Sequence, residues 1–141
     1  MRFDLRRFPF AALVLASSAC SGGAGASDAG LGETSLTSQS GALHVEVASA
    51  PSESPIRGSN SIYFDVSASD GGAPVLGLAM HMVPFMPAMG HGSASEPSSS
   101  ELGAGRYEFD DVLLTMPGVW ELRTTIDGAE SDYVAPRFDV R

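Results

Sequence analysis

Hydrophobic and polar residues alternate through much of the chain beyond residue 41, with the period of two that is typical of half-buried β-strands. In the segment ALHVEVA, for example, Leu43, Val45 and Val47 share one face of the expected strand. The alternation predicts seven short strands in all, within the segments ALHVEVA, SIYFDVS, PVLGLAMHM, GRYEF, DVLLTM, VWELRTTI and YVAPRFDV. Outside the first twenty residues, no segment has the period of a helix.

Strand phase also predicts which side chains face the core. In PVLGLAMHM, His81 is expected to point away from the core. The residues in the opposite phase are expected to be buried, and they are Leu76, Leu78, Met80 and Met82. Farther along the chain, the phase slips by one residue across Asp110 and Asp111, which predicts a bulge or bend between the segments GRYEF and DVLLTM.

Seven short strands separated by turn residues predict an all-β fold with a single modest core. We expect a seven-stranded antiparallel β-sandwich of immunoglobulin-like type over residues 41–141. The cysteine pair of antibody domains is missing, because the chain has one cysteine in total. We therefore expect the domain to share the architecture of immunoglobulin domains without being related to antibodies.

The N-terminus has the organisation of a bacterial export signal, in which three arginines precede the short apolar run PFAALVLA. The sequence from Ser17 to Cys20 resembles the lipobox of bacterial lipoproteins, although Ser17 stands where that pattern has a larger aliphatic residue. The resemblance implies that residues 1–19 are removed and that Cys20 becomes the lipidated first residue. The alternative is cleavage after Ala24-Gly25-Ala26, which would release a soluble periplasmic or secreted protein.

The residues after Cys20 bear on the location and the linkage of the domain. Ser21, in place of an aspartate, implies sorting to the periplasmic side of the outer membrane by the rule for such lipoproteins. Residues 20–40 are rich in Ser, Gly and Ala, which predicts a disordered tether. Because Cys20 has no partner, the exported domain is expected to fold without a disulfide.

The charge balance narrows the choice of partners. Seventeen acidic residues against eight basic ones give a net charge of −9. A nucleic-acid partner is not expected, because surfaces that bind nucleic acid are basic. We do not expect an enzyme either, since the chain has no nucleophilic serine elbow, Cys/His pair, phosphate-binding glycine loop or facing pair of carboxylates.

The segment HMVPFMPAMGHG contains three methionines, two histidines and two prolines within twelve residues. Because proline cannot donate to a central ladder, Pro84 and Pro87 predict that the strand ends near Val83. Residues 84–92 are then expected to form a loop. Its bend is expected to bring two imidazoles and two thioethers to one point, from His81, Met86, Met89 and His91.

These donors favour copper. Thioether sulfur is a soft ligand that suits Cu(I) and is poor for zinc, calcium or magnesium, while imidazole serves either copper state. Methionine also persists in an oxidising compartment, where exposed cysteines would pair. We therefore expect a copper site in which the ion is carried or buffered.

Two metal-free interpretations remain open for the same segment. The loop can fold its Phe and Met side chains over one end of the sandwich and leave His91 solvated. It can also dock another protein of the cell envelope, because methionine adapts to varied surfaces. Met116 is expected in the core at a turn, with an approach to the loop as the alternative.

HMVPFMPAMGHG, with the later segments GRYEF and MPGVWELRTTID, resembles the YtkA-like domain of exported bacterial proteins over about residues 41–141. The resemblance implies an immunoglobulin-like fold outside the cytoplasm and a link to copper handling or respiratory-oxidase assembly. It points to Met86, Met89 and His91 as site residues, whereas His81 is added from strand phase alone. The expected protein is an exported copper-binding lipoprotein, held at the membrane through Cys20.

Overall fold

The structure, a computed structural model, describes residues 30–141. Within those residues there are ten β-strands and no helix. The strands are β1 (Ser35–Thr37), β2 (Leu43–Ala50), β3 (Gly58–Ala68), β4 (Ala79–Met86), β5 (His91–Gly92), β6 (Ser100–Gly103), β7 (Arg106–Leu114), β8 (Gly118–Asp127), β9 (Ser131–Val134) and β10 (Arg137–Val140).

The strands form two antiparallel sheets of five strands each, arranged as a sandwich. One sheet has the order β1-β2-β3-β7-β6, and the other has the order β10-β8-β4-β5 with β9 also paired to β8. The predicted all-β sandwich is confirmed, but the predicted count of seven strands is wrong. Strands β1, β5 and β6 have only two to four residues, too few for an alternation to be recognised. The last predicted strand is divided at Ala135 and Pro136 into β9 and β10. The segments GRYEF and DVLLTM, predicted as two strands, form the single strand β7.

The core lies between the sheets, where each long strand contributes every second side chain. In β3, Ile62, Phe64 and Val66 are buried. The Phe64 ring meets the Phe109 ring edge to face, with the ring centroids 5.1 Å apart. Full burial of such a side chain contributes about 1.5–3 kcal/mol, so the alternation seen in the sequence accounts for the main stabilisation of the fold.

Strand β7 contains a bulge at Asp110 and Asp111, which confirms the predicted slip of phase. The register between β3 and β7 shifts there, because these two residues lie opposite Ser61 alone. The Ser61 hydroxyl donates to the Asp110 carboxylate at 3.0 Å. The Ser59 hydroxyl donates to the Asp111 carboxylate at 2.7 Å. Hydroxyls on β3 therefore hold both carboxylates of the bulge.

The beginning of β4 differs from its prediction. Met80 and Met82 are buried, as their phase predicts. Leu76 and Leu78 come before the strand, however, and Leu76 is 60% exposed. Gly77 has a φ of +72°, which an extended strand does not contain, so the alternation does not continue back through this segment.

The end of β4 also differs, because the strand continues through Pro84 to Met86. The prediction that it ends near Val83 is therefore wrong. Met80, Met82 and Pro84 direct their backbone groups toward residues 93–99, as the bond from the Ser93 amide to the Pro84 carbonyl at 2.8 Å shows. The N–H that Pro84 lacks would face the same way. The ladder with β8 is thus uninterrupted.

Residues 31–40, called the N-terminal strap below, are ordered. The prediction of a disordered tether over residues 20–40 is therefore wrong for its second half, and the folded part begins about ten residues before residue 41. Leu36, in the middle of β1, is buried in the core. Cys20 and the rest of the predicted tether before residue 30 lie outside the described residues, as does the predicted signal peptide.

The N-terminal strap bonds to both sheets. Its β1 pairs with β2 in one sheet. Toward the other sheet, the Gly32 amide donates to the Arg137 carbonyl at 2.7 Å, and the Gln39 amide donates to the Tyr133 carbonyl at 2.8 Å. The strap therefore closes one flank of the sandwich.

The opposite flank is closed by residues 91–103. This segment first runs beside β4, where the Met82 amide donates to the Pro97 carbonyl at 2.9 Å. It then crosses to the other sheet and pairs with β7 as β6. Bare sheet edges invite association with other chains, and the two crossing segments reduce that exposure.

Asp132 fastens the N-terminal strap to β9. Its carboxylate accepts a hydrogen bond from the Ser40 hydroxyl at 2.6 Å and others from the amides of Ser40 and Tyr133. Burial by itself raises the pKa of Asp132, but hydrogen bonds from Ser38, Ser40 and the Tyr133 amide outweigh it and hold the pKa below its usual value of 3.8. Because the folded pKa is the lower one, ionised Asp132 stabilises the fold above pH 3.8, and this contribution is lost as the pH falls through the folded pKa.

Replacing Asp132 by Asn should lower the free energy of unfolding by about 1–2 kcal/mol at neutral pH, because a charged acceptor of several hydrogen bonds is lost. The difference should shrink as the pH falls below 3.8, where the aspartate becomes uncharged. Urea unfolding at a series of pH values measures both effects. Asp70→Asn, in an exposed turn, is the control and should change the stability by less than about 0.5 kcal/mol. A loss for Asp132→Asn that is the same at every pH would contradict this role.

Candidate functional site

Residues 86–91, called the rim hairpin, connect β4 to β5 at one end of the sandwich. The Met86 carbonyl accepts hydrogen bonds from the amides of Met89 at 3.1 Å and Gly90 at 3.0 Å. Gly90 has a φ of +69°, which residues with a side chain rarely adopt, and so lets the chain return as β5. The predicted loop 84–92 is therefore a tighter turn whose two ends belong to strands.

Met89 lies at the tip of the rim hairpin. Its side chain is 59% exposed, and the neighbouring Pro87 and Ala88 are exposed as well. The backbone bonds of the turn hold Met89 in place without covering its sulfur. Its thioether is therefore open to a ligand from solvent.

His91 stands next to this tip and is also exposed. Its ring nitrogen Nδ1 lies 3.2 Å from the Gly92 carbonyl oxygen. A carbonyl oxygen can only accept, so this contact is a hydrogen bond in the neutral tautomer that carries its proton on Nδ1. In that tautomer the other nitrogen, Nε2, carries a lone pair that can bind a metal ion.

Met86 is part of the core, since its side chain is only 5% exposed. Its terminal methyl carbon, Cε, lies 2.6 Å from the point that a β-carbon on Gly118 would occupy. The Met86 sulfur, one bond from that methyl, is therefore at the end of the sandwich beneath the rim hairpin. Met86 and His91 are cross-strand partners, so their side chains leave the backbone on the same face.

His81 is separated from the other three predicted ligands. It lies five residues before Met86 on the same strand, a distance of about 16 Å, and an odd spacing places the two side chains on opposite faces. Its ring nitrogen Nε2 is 3.5 Å from a Glu96 carboxylate oxygen. The expectation that all four side chains meet at one point is thus wrong, because β4 continues past Val83 and carries Met86 away from His81.

Met116 approaches the same end of the sandwich from the β7–β8 connection. It is half-buried against the core, and its carbonyl accepts a hydrogen bond from the Trp120 indole at 2.9 Å. It precedes Gly118, which the Met86 methyl contacts, by two residues. In the sequence its only signal is the turn Met116-Pro117-Gly118 between two strands, which does not reveal the nearby hairpin.

The donors at this end are soft. No group of three or more His, Cys, Asp or Glu side chains is placed to hold a metal ion within residues 30–141. An ion at the rim hairpin would therefore be held by thioether sulfur and one imidazole. That combination of ligands suits Cu(I). It would bind calcium or magnesium weakly, because those ions prefer oxygen ligands.

Comparison with known proteins identifies the family of the domain that contains this hairpin. A family model described as YtkA-like matches residues 37–125, which is more than half of the chain. The chain belongs to the YtkA-like family. The YtkA-like match begins at the last residue of β1, and it includes both the rim hairpin and Met116. No curated protein and no solved structure matches the chain.

The described part of the YtkA-like chain offers no helix with the length and apolarity needed to cross a bilayer.

Mild treatment with hydrogen peroxide should oxidise Met89 to its sulfoxide before the buried methionines, because its sulfur is open to solvent. Fragment mass spectrometry measures the oxidation of each methionine over time, with Met82 as the fully buried reference. Oxidation of Met86 at the rate of Met89 would show that the rim hairpin opens in solution, contrary to the burial described above.

Proposed function

We propose that this YtkA-like domain binds Cu(I) at the rim hairpin, with Met89 and His91 as the ligands that the ion meets first. The observation that carries the proposal is the exposure of a thioether and an imidazole two residues apart, on a turn fixed by backbone hydrogen bonds. Both groups face solvent, so an ion reaches them without any unfolding of the sandwich.

Two further sulfurs support the proposal. The β-carbons of cross-strand partners such as Met86 and His91 are about 5 Å apart, and Met116 lies at the same end of the sandwich. A methionine side chain has three rotatable bonds and adapts easily, so a modest rotation brings one or both sulfurs toward the ion. The proposed ligand set is His91, Met89 and one or two of Met86 and Met116, without His81.

A site of this kind suits carriage or buffering of copper. Met89 and His91 lie at the surface of one end, where another protein can approach and take the ion. A role in delivery to a respiratory oxidase is the more specific form of the proposal, supported by the family resemblance. The rim hairpin itself contains no carboxylate to assist a reaction at the metal.

Metal-free docking through the rim hairpin is the second candidate function. The observation that favours it is the same exposed tip, in which Pro87, Ala88 and Met89 form a small apolar surface. Methionine adapts to the shape of varied partners. The two candidates differ in what they require of Met89, because docking needs its apolar volume, whereas copper needs its sulfur.

We also propose that the sandwich is immunoglobulin-like. Its strand order supports this, since β2-β3-β7-β6 in one sheet and β10-β8-β4-β5 in the other correspond to the A-B-E-D and G-F-C-C′ sheets of that architecture. An experimental structure in which β6 pairs beside β4 would contradict this assignment.

The proposed location is the periplasmic side of the outer membrane, with the chain anchored by a lipid on Cys20. Support comes from the lipobox-like sequence at Ser17 to Cys20 and from the domain that begins at residue 31. Ten residues, 21–30, then separate the anchor from the domain.

Titration of the purified protein with Cu(I) against a chromophoric chelator should show saturable binding of one ion. Loss of even an outer-shell partner typically weakens a metal site about 10–100-fold. Met89→Leu and His91→Ala should each weaken binding at least that much. His81→Ala is the matched control and should leave the affinity unchanged.

The Met89→Leu variant separates the two candidate functions, because leucine keeps the apolar volume and removes the sulfur. Binding that is absent in the unmodified protein, or unaffected in both the Met89→Leu and His91→Ala variants, would exclude the copper site. Docking would then remain as the function of the rim hairpin.

The anchor has its own test. Cys20→Ala should abolish incorporation of labelled fatty acid and move the protein from the membrane fraction to the soluble fraction. Ser21→Ala, next to the proposed lipidation site, is the control and should retain both. Membrane retention of the Cys20→Ala protein would contradict lipid anchoring and would leave the copper proposal untouched.

A further inference from the structure

The loop 75–78, before β4, is held in one conformation although it lies at the surface. The hydroxyl of buried Tyr107 donates to the Val75 carbonyl at 2.8 Å and accepts from the Leu78 amide at 3.2 Å. The Glu101 carboxylate accepts from the Gly77 amide at 3.0 Å. A buried hydroxyl with two backbone partners fixes the loop far better than an exposed one would.

This fixed loop presents Leu76 to solvent. The side chain is 60% exposed, the largest exposed fraction among the large hydrophobic residues described. A single exposed leucine is ordinary on a protein surface. This leucine, however, belongs to a loop whose first and last residues, Val75 and Leu78, line an open cleft.

The cleft has an apolar floor and an acidic edge. Leu43, Val75, Leu78 and Ala129 supply apolar lining, and its volume is about 310 Å³. That is at the lower end of the range for clefts that bind ligands, and it is enough for one large apolar side chain. Glu130 and Asp132 are the charged residues of the lining.

The surroundings of the cleft are acidic as well. Glu101 lies under the loop beside Gly77, and Asp127 ends β8 just before the turn that forms one wall. No arginine is among the described residues that line the cleft. An apolar hollow with carboxylates at its edge attracts a partner that combines an apolar group with positive charge, because complementary charge steers the encounter and fixes the register.

The cleft is remote from the rim hairpin. Leu78 precedes the first residue of β4 and Met86 is the last, so the strand separates the two surfaces by about 25 Å. A partner seated in the cleft does not cover Met89 or His91. Whatever binds there acts independently of the proposed copper ligands.

We propose that the cleft and Leu76 form a docking surface for a segment of another protein in which an apolar side chain is flanked by arginine or lysine. The apolar side chain occupies the cleft and contacts Leu76. The cationic side chains pair with Glu130 and its acidic neighbours. The domain thereby binds a partner at one end while the rim hairpin at the other end stays accessible.

An array of random hexapeptides, probed with the purified protein at physiological salt, tests the proposal without a known partner. Sequences that place Leu, Ile or Phe beside Arg or Lys should be enriched. Because the whole protein is acidic, enrichment of basic peptides alone is not sufficient. The enriched peptide must also shift amide NMR signals of residues 75–78 and 128–132 in a saturable manner.

Two variants locate the binding. Leu76→Ala should weaken the enriched peptide about tenfold, from the loss of buried apolar area. Glu130→Gln should weaken it about two- to fivefold, as expected for one exposed charge pair. The matched controls are Leu31→Ala, an equally exposed leucine on the flank, and Glu53→Gln at the other end of the sandwich, and neither should change the affinity.

Several results would overturn the proposal. They are an absence of enrichment, enrichment of acidic or uncharged sequences, and binding that Leu76→Ala and Glu130→Gln leave intact. Shifts of residues 75–78 that depend on protein concentration without peptide would point to a second copy of the chain as the occupant. Cu(I) affinity should be the same in Leu76→Ala and the unmodified protein, so failure here is distinguishable from failure of the copper site.

Discussion

Two stacked β-sheets avoid pairing with other chains only when the backbone groups along their edges are paired or covered. In this domain, two segments that cross between the sheets supply those partners. The N-terminal strap closes one flank, and residues 91–103 close the other. The alternating side chains buried between the sheets provide most of the favourable free energy of folding. The crossing segments determine which edges are covered and which surfaces remain exposed to solvent.

Both candidate surfaces follow from these crossings. The rim hairpin is the point at which the chain leaves β4 to begin the second crossing, so its tip must project from the end of the sandwich. The cleft lies where the strap turns into β2 beside the β8–β9 turn, held there by Asp132. The chain therefore places soft sulfur and nitrogen donors at one end, and an apolar, acidic hollow at the other.

Much of the fold can be predicted from the sequence, because β2, β3, β7 and β8 each bury one face and so alternate clearly. The bulge at Asp110 is visible for the same reason. The strap is not predictable, since its one buried hydrophobic residue, Leu36, lies among serines and threonines. The proposed ligand set depends on where β4 ends, and Pro84 misleads there because its missing N–H points away from the β8 ladder. Once the strand extends to Met86, the period of two excludes His81.

The strap also determines where the chain enters the sandwich. Leu31 pairs beside Arg137, which lies opposite Glu121 in the interior of β8. The polypeptide thus joins the sandwich along its side, and neither tip serves as the point of attachment. Because the chain enters at this flank, the strap covers neither end of the sandwich, and the rim hairpin and the cleft are accessible at the same time.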